Sequence, residues 1–180
     1  MSIVTICVAG AESTGKSWLA ARIAAHYGLV AISEYARGYC AAHGNDLSME
    51  QLRHIGQTQD ANIRSAVMRS FDQGLPFVIA DTDAVVTAVW ARQLSQPLDP
   101  WFAHGPYEAD LYFVTDNDLP WQDDGVRVQA NQRMRDRFRK TMIDELERRG
   151  LRWVPVGGHG EERLHSAIAT IDADVASLMR

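Results

Sequence analysis

The sequence predicts an α/β fold: one parallel sheet of five strands, covered by helices on both faces. Three observations carry this expectation. A short β-rich run, residues 3–9, feeds a glycine loop and then an Ala-rich helical segment, 18–27. Four more short apolar runs follow, each separated from the next by a stretch with helical spacing. Two of these runs close on carboxylates, Glu34 and Asp81, at the edge where a parallel sheet gathers its functional loops.

The elements follow in order. Residues 29–33 form the second apolar run, which turns at Glu34 into a helix reaching about Ala42, broken by Gly44-Asn45-Asp46. Ser48 with Gln51 three residues later is a capping box opening a long helix, with Leu52, Ile55, Ile63, Val67 and Phe71 near one stripe out to Gly74. The third run, 76–80, is closed by Asp81-Thr82-Asp83. Residues 84–94 carry Val85, Val86, Thr87 and Val89, which favour strand, yet the segment is too long for one and Asp83 can cap it, so it reads as a helix. A loop over 96–100 and a short helix over 101–108 lead to the fourth run, 111–114. A polar loop, 116–125, then opens a charged helix over 129–149. The fifth run, 152–156, and a closing helix, 161–179, end the sequence. No repeat or low-complexity linker interrupts it, so residues 1–180 read as a single domain. With two residues ahead of the first strand, no further domain is expected in front of the glycine loop.

Composition narrows the function classes. Hydrophobic residues at 46% and charged residues at 23% are ordinary for a globular domain. A net charge of −5 disfavours nucleic acid as the main partner. Cys7 and Cys40 can build neither a disulfide framework nor a C-x-x-C site, and both read as small core residues. No apolar run is long enough for a membrane span and no signal-peptide pattern opens the chain, so a cytoplasmic location is expected. Whether the chain forms a homo-oligomer is left open.

Gly10-Ala11-Glu12-Ser13-Thr14-Gly15-Lys16-Ser17 fits G-x-x-x-x-G-K-[ST] at every fixed position. Strand, loop and helix together make a cradle of backbone N–H groups with the helix dipole behind it, the P-loop of nucleoside triphosphate-binding folds. The loop from Gly10 through Ser17, with Trp18, is thus the expected ATP site. Lys16 would reach the β- and γ-phosphates, and the Ser17 hydroxyl would hold Mg²⁺. Asp81, ending an apolar run beside this loop, is the second expected Mg²⁺ ligand. Glu34 could accept the proton of an attacking hydroxyl or hydrogen-bond a sugar diol, and Arg37 could bind a polar or anionic group beside it. A plain i, i+3 surface pair is the alternative. Asp83 can cap the following helix, hold an acceptor, or do both.

Arg127, Arg133, Arg135, Arg137 and Arg139, with Lys140, read as an arginine-rich lid spanning about 116–140. Arg133 and Arg137 share one helical stripe, and Met134, Phe138 and Met142 form the apolar stripe next to it. Such a helix can close guanidiniums over phosphates or simply be a solvated face balanced by Asp136, Asp144, Glu145 and Glu147. Trp121 is an exposed indole that could stack on a base or tuck against the lid. The six histidines support neither a metal pair nor a Ser-His-Asp arrangement.

Four stretches in this order resemble a known family: the glycine loop, Ser33-Glu34-Tyr35-Ala36-Arg37, Asp81-Thr82-Asp83, and Trp121-Gln122-Asp123-Asp124-Gly125-Val126-Arg127. They are similar to the nicotinamide riboside kinase domain of the bacterial bifunctional NAD-salvage proteins. The resemblance implies a P-loop kinase using ATP and Mg²⁺ to phosphorylate the 5′-hydroxyl of nicotinamide riboside. The acceptor would lie among Glu34, Tyr35, Arg37, Asp83, Trp121 and Asp124, with Arg127, Arg133 and Arg137 as the lid. Family members carry an adenylyltransferase domain upstream that this sequence lacks, which implies synthesis of the mononucleotide and not the dinucleotide. Two alternatives stay open. One is another nucleoside or nucleotide as acceptor; the other is an ATP-dependent switch, since no N-K-x-D guanine-reading stretch is present.

Overall fold

The computed structural model describes residues 3–94, 97–122 and 131–178. Its sheet is parallel and has four strands among the described residues: β1 (Val4–Ala9), β2 (Phe77–Asp81), β3 (Leu111–Thr115) and β4 (Trp153–Val156), in the order β2-β1-β3-β4. The described residues also form seven helices: α1 (Lys16–His26), α2 (Tyr35–His43), α3 (Met49–Gln73), α4 (Ala84–Gln93), α5 (Trp101–His104), α6 (Gln132–Arg149) and α7 (Gly160–Leu178). β1 pairs with β2 on one side and with β3 on the other, so the chain reverses direction across the sheet at the carboxyl end of β1. That switch point is where an open α/β sheet leaves a crevice, and the glycine loop occupies it.

The expected second strand, 29–33, is reduced to a single parallel bridge between Ile32 and Ala80. Two backbone bonds hold it, Ile32 N–H to the Ile79 carbonyl and the Asp81 N–H to the Ile32 carbonyl, both 2.8 Å. Leu29 and Ala31 pack on the core while Val30 is 92% exposed, so the run is covered on one side only and the ladder stops there. Elsewhere the alternation of strand side chains sorts the core into two faces. Val4, Ile6, Val8, Leu111 and Phe113 pack under α1 and α7. Cys7, Ala9, Tyr112 and Val114 pack under α4 and α6. Cys7 is a buried free thiol as expected, while Cys40 is only half-buried.

Local signals hold where burial agrees with them. The Ser48–Gln51 capping box is present in both directions, at 3.2 and 2.9 Å. Residues 84–89 are all buried, and that burial, with the Asp83 cap, overrides their strand propensity and makes α4 a helix. Leu52, Ile55 and Ile63 of the α3 stripe are buried, but Phe71 and Met68 face solvent while Ala66 and Ser70 carry the buried face on. Likewise only Trp101–His104 of the expected helix over 101–108 is helical. Among the described residues no helix is long and apolar enough to cross a membrane.

Asp83 is fully engaged inside this frame. Its Oδ1 accepts the Val86 N–H at 3.0 Å and its Oδ2 accepts the Tyr112 hydroxyl at 2.6 Å. Burial pushes its carboxyl from the ordinary 3.8 up to about 6, although both of those hydrogen bonds favour the ionised form. A folded-state pKa above the unfolded one means extra proton binding by the native state. The stabilisation is therefore complete below about pH 4 and lost as pH rises through about 6. In denaturant titrations, the advantage of wild type over Asp83→Asn is expected to shrink by up to about 3 kcal/mol between about pH 4 and 6, then stay flat. A difference independent of pH over that window would show that Asp83 titrates normally.

Candidate functional site

The glycine loop is held in shape by small side chains and by side-chain bonds to its own carbonyls. Gly10 has φ 145°, and a Cβ there would lie 2.1 Å from the Thr115 Oγ1 of the neighbouring strand, so only glycine fits. Ser13 and Gly15 both have positive φ, at 58° and 78°. The Thr14 hydroxyl donates to the Ala11 carbonyl at 2.8 Å and stands 2.6 Å from Thr115 Oγ1, which also donates to the Ala9 carbonyl at 3.1 Å. Lys16 folds back over the loop, its Nζ donating to the Ala11 carbonyl at 2.8 Å. The amino end of α1 has no side-chain cap and no acidic residue in its first turn. Its orphan N–H groups and partial positive charge are left for an anion. Ser17 is exposed on this first turn. Trp18, beside it, is 41% exposed with the Arg22 guanidinium 5.9 Å from its ring.

Beyond the loop lies a cleft of about 130 Å³ whose walls include Glu12, Lys16, Glu34, Arg37 and Trp90. Glu34 occupies the N-cap position of α2, yet its carboxylate makes no capping bond and is 3.5 Å from the Arg37 guanidinium. Burial raises the Glu34 carboxyl above its usual value; Lys16 is the strongest charge acting on it and opposes that rise, as Arg37 does, while Asp81 and Glu12 add to it. Glu34, Lys16, Arg37, Asp81 and Glu12 thus form one electrostatic cluster at the mouth of the cradle. The opposite wall is apolar and comes from α3 and α4, with Ile55, Val86 and Trp90. Trp90 is braced from behind by Phe138, with ring centroids 4.7 Å apart.

Asp81 is buried at the last position of β2, and its Oδ1 has no hydrogen-bond partner among the described residues. A buried carboxylate oxygen left open is costly unless a cation or donor completes it. No cluster of three or more His, Cys, Asp or Glu residues suited to a metal exists among the described residues. Mg²⁺ at a phosphoryl-transfer site needs only one or two protein oxygens beside phosphate and water. Ser17 and Asp81 fit that donor set.

Three residues shape this site in ways the sequence did not assign: Gln59 was not expected, Thr82 stood only between the two expected carboxylates, and Arg135 was one of the lid arginines. Gln59, buried on α3, accepts the Tyr35 N–H at 3.0 Å and donates to the Thr82 carbonyl at 3.1 Å, tying α2 to the end of β2. Thr82 has φ 64°, a strained conformation for a β-branched residue, at the floor of the cleft between Asp81 and Asp83. Arg135, in the first turns of α6, turns inward: it is 2% exposed, its Nη2 donating to the Leu119 carbonyl at 2.9 Å. Its spacing to Phe138 and Met142 (i+3, i+7) places it on the buried face, so helical periodicity alone could have found it.

Other expected residues lie elsewhere. Arg133 and Arg137 are exposed on the outer side of α6, and Met134 is 46% exposed instead of joining the buried Phe138 and Met142. Asp83 serves as the cap of α4, one of the two roles open to it. Tyr35 lines the neighbouring hollow with Tyr39 and His43, its hydroxyl 3.3 Å from His54 Nε2. Trp121 is half-buried, and its Nε1 is buried without a hydrogen-bond partner among the described residues. The adjoining Gln122 N–H donates to Ser13 Oγ at 3.0 Å, so this loop rests on the glycine loop. Asp124 and Arg127 lie outside the described residues.

This geometry has known counterparts. The chain is similar to the trifunctional NAD biosynthesis/regulator protein NadR of Escherichia coli (strain K12), 26% identical over 158 residues, 84% of this chain and 38% of that protein. It therefore spans well under half the length of that relative. Among solved structures, the NadR protein in complex with NR superposes with a TM-score of 0.77 at 26% identity, covering 97% of this chain and 52% of that one. NadR in complex with NAD and AMP-PNP gives 0.71 at 26% identity, covering 94% and 48%. The thymidylate kinase from Ehrlichia chaffeensis, at 12% identity and a TM-score of 0.68 over 95% of this chain and 100% of that one, shares the fold. The resemblance read from the sequence is borne out, and the architecture is that of the P-loop kinases. A family model described as AAA domain (AAA_28) matches residues 5–163, and the chain belongs to that family.

Proposed function

We propose that this protein is an ATP-dependent kinase that phosphorylates the 5′-hydroxyl of a nucleoside, namely nicotinamide riboside. The observation that carries the reading is the cleft that sets Glu34 and Arg37 against Lys16 of an uncapped phosphate cradle. The similar NadR structures contain NR in one case and AMP-PNP in the other, which supports the choice of acceptor and donor.

Each step follows from residues present. The amino end of α1 and Lys16 hold the phosphate chain of ATP and offset its charge. Glu34 orients the acceptor hydroxyl and takes its proton as the oxygen bonds to the γ-phosphorus; the bond from that phosphorus to the β–γ bridging oxygen breaks and ADP leaves. Transfer passes through a loose transition state, so positioning by Glu34 matters as much as proton removal. Mg²⁺, held through Ser17 and Asp81, supplies Lewis-acid neutralisation of phosphate charge when bound. Arg37 faces the polar part of the acceptor, and the apolar wall with Trp90 excludes water around its ring. ADP release that depends on added acceptor distinguishes this kinase from an ATP-driven switch; hydrolysis indifferent to every acceptor would favour the switch.

The arginine-rich segment is proposed to close over the phosphates during turnover. Single Ala substitutions at Arg127, Arg133 and Arg137 are expected to lower kcat by about tenfold or more in at least one case, with ATP affinity nearly unchanged. Unchanged kcat in all three would leave α6 as a solvated face.

A further inference from the structure

Arg163, on α7, is 1% exposed and carries its charge into the interior between three segments far apart in sequence. Its Nη1 donates to the carbonyl of Thr14 in the glycine loop, and its Nη2 donates to the Asp118 carboxylate at the root of the arginine-rich segment. Its Nε donates to the carbonyl of Gly158, after β4, at 3.0 Å. The second oxygen of Asp118 accepts the Gly158 N–H at 2.7 Å, closing a ring of bonds. Burial alone would raise the Asp118 carboxyl, but the bonds from Arg163 and Gly158 outweigh it and hold it below its usual value. The packing around this ring is close: a Cβ on Gly15 would come within 3.0 Å of Leu119 and 3.4 Å of the Arg163 guanidinium.

Burying a guanidinium is unfavourable by several kcal/mol unless its donors are all met, and an apolar side chain would pack α7 without that cost. What the fork of donors adds is orientation. Across a trans peptide the C=O and N–H point in opposite directions. Holding the Thr14 carbonyl on Arg163 therefore turns the Gly15 N–H to the other side of the loop. The same guanidinium fixes the loop that leads from β3 toward α6, which also rests on the glycine loop through Ser13 and Gln122. We propose that Arg163 is a positioning residue for phosphoryl transfer: with Asp118 it sets the Thr14–Gly15 peptide in the phosphate cradle and joins that cradle to the root of the arginine-rich segment. This rests on the reading of the glycine loop as the donor site.

The test is a double-mutant cycle of Arg163→Lys, Asp118→Asn and the two combined, with Lys16→Ala as the reference for the donor site. Rates are expressed per ADP-binding site titrated by calorimetry, so loss of folded protein alone does not change them. Each single variant is expected to lose about tenfold or more in kcat while the acceptor KM stays within about twofold, and the double variant should be no slower than the slower single. Effects that multiply, or single variants at full kcat while Lys16→Ala inactivates, overturn the proposal. Full rate in Lys16→Ala would instead remove the donor-site reading and the proposal with it. Should Arg163→Lys fail to fold, Asp118→Asn carries the test alone, and full kcat in that variant overturns it.

Discussion

Replacing Lys16 by alanine is expected to lower turnover at least about 10²-fold while the fold survives, a loss of about 2.7 kcal/mol or more in transition-state stabilisation. Lys16 begins α1, and among the described residues its ammonium donates to the Ala11 carbonyl. That backbone bond can be given up to a phosphate, and nothing in the two apolar core layers depends on it. The variant should therefore melt close to wild type, and the loss should appear in kcat as charge develops on the transferring group. Turnover within a few-fold of wild type would mean that this loop is not where phosphate is transferred.

Glu34→Gln is expected to cost about 10²-fold in kcat with ATP affinity nearly unchanged. The substitution keeps the shape and one acceptor oxygen and removes the charge. It should also change the pH profile. Burial holds the Glu34 carboxyl above its usual value, so the base form is lost as pH falls through that raised pKa and the acid limb of kcat should sit above the range of an ordinary carboxylate. In Glu34→Gln that limb should disappear. Asp81→Asn should behave differently, because the buried Asp81 oxygen with no partner among the described residues suits a cation. It should raise the Mg²⁺ concentration needed for half-maximal rate. If Glu34→Gln shifts the metal dependence and Asp81→Asn does not, the two roles are exchanged.

What could be read from the sequence was local. The glycine loop, the Ser48–Gln51 box, the Asp83 cap and the closing carboxylate of β2 each depend on residues within one turn or strand, and each is found in the structure. The run 29–33 was read as a full strand because apolar composition does not reveal whether both of its sides are covered; Leu29 and Ala31 pack on the core, and Val30 faces solvent. Asp83 and Tyr35 carry plausible site chemistry, but long-range partners claim them, Tyr112 for the one and Gln59 and His54 for the other. Arg163 lies 149 positions from Thr14, and no pattern along the chain marks such a contact. For the arginine-rich helix, a shared stripe singled out Arg133 and Arg137, which face outward, whereas burial selected Arg135. Counting charges on a helix does not say which one the core takes in.

The central claim is tested most directly by the product. The purified chain is incubated with ATP, Mg²⁺ and a panel of nicotinamide riboside, the common nucleosides and thymidylate, and the phosphorylated species are identified by mass spectrometry and phosphorus NMR. The expected result is the 5′-monophosphate of nicotinamide riboside, formed in preference to every other product. Clear product from another acceptor, with none from nicotinamide riboside, would contradict it.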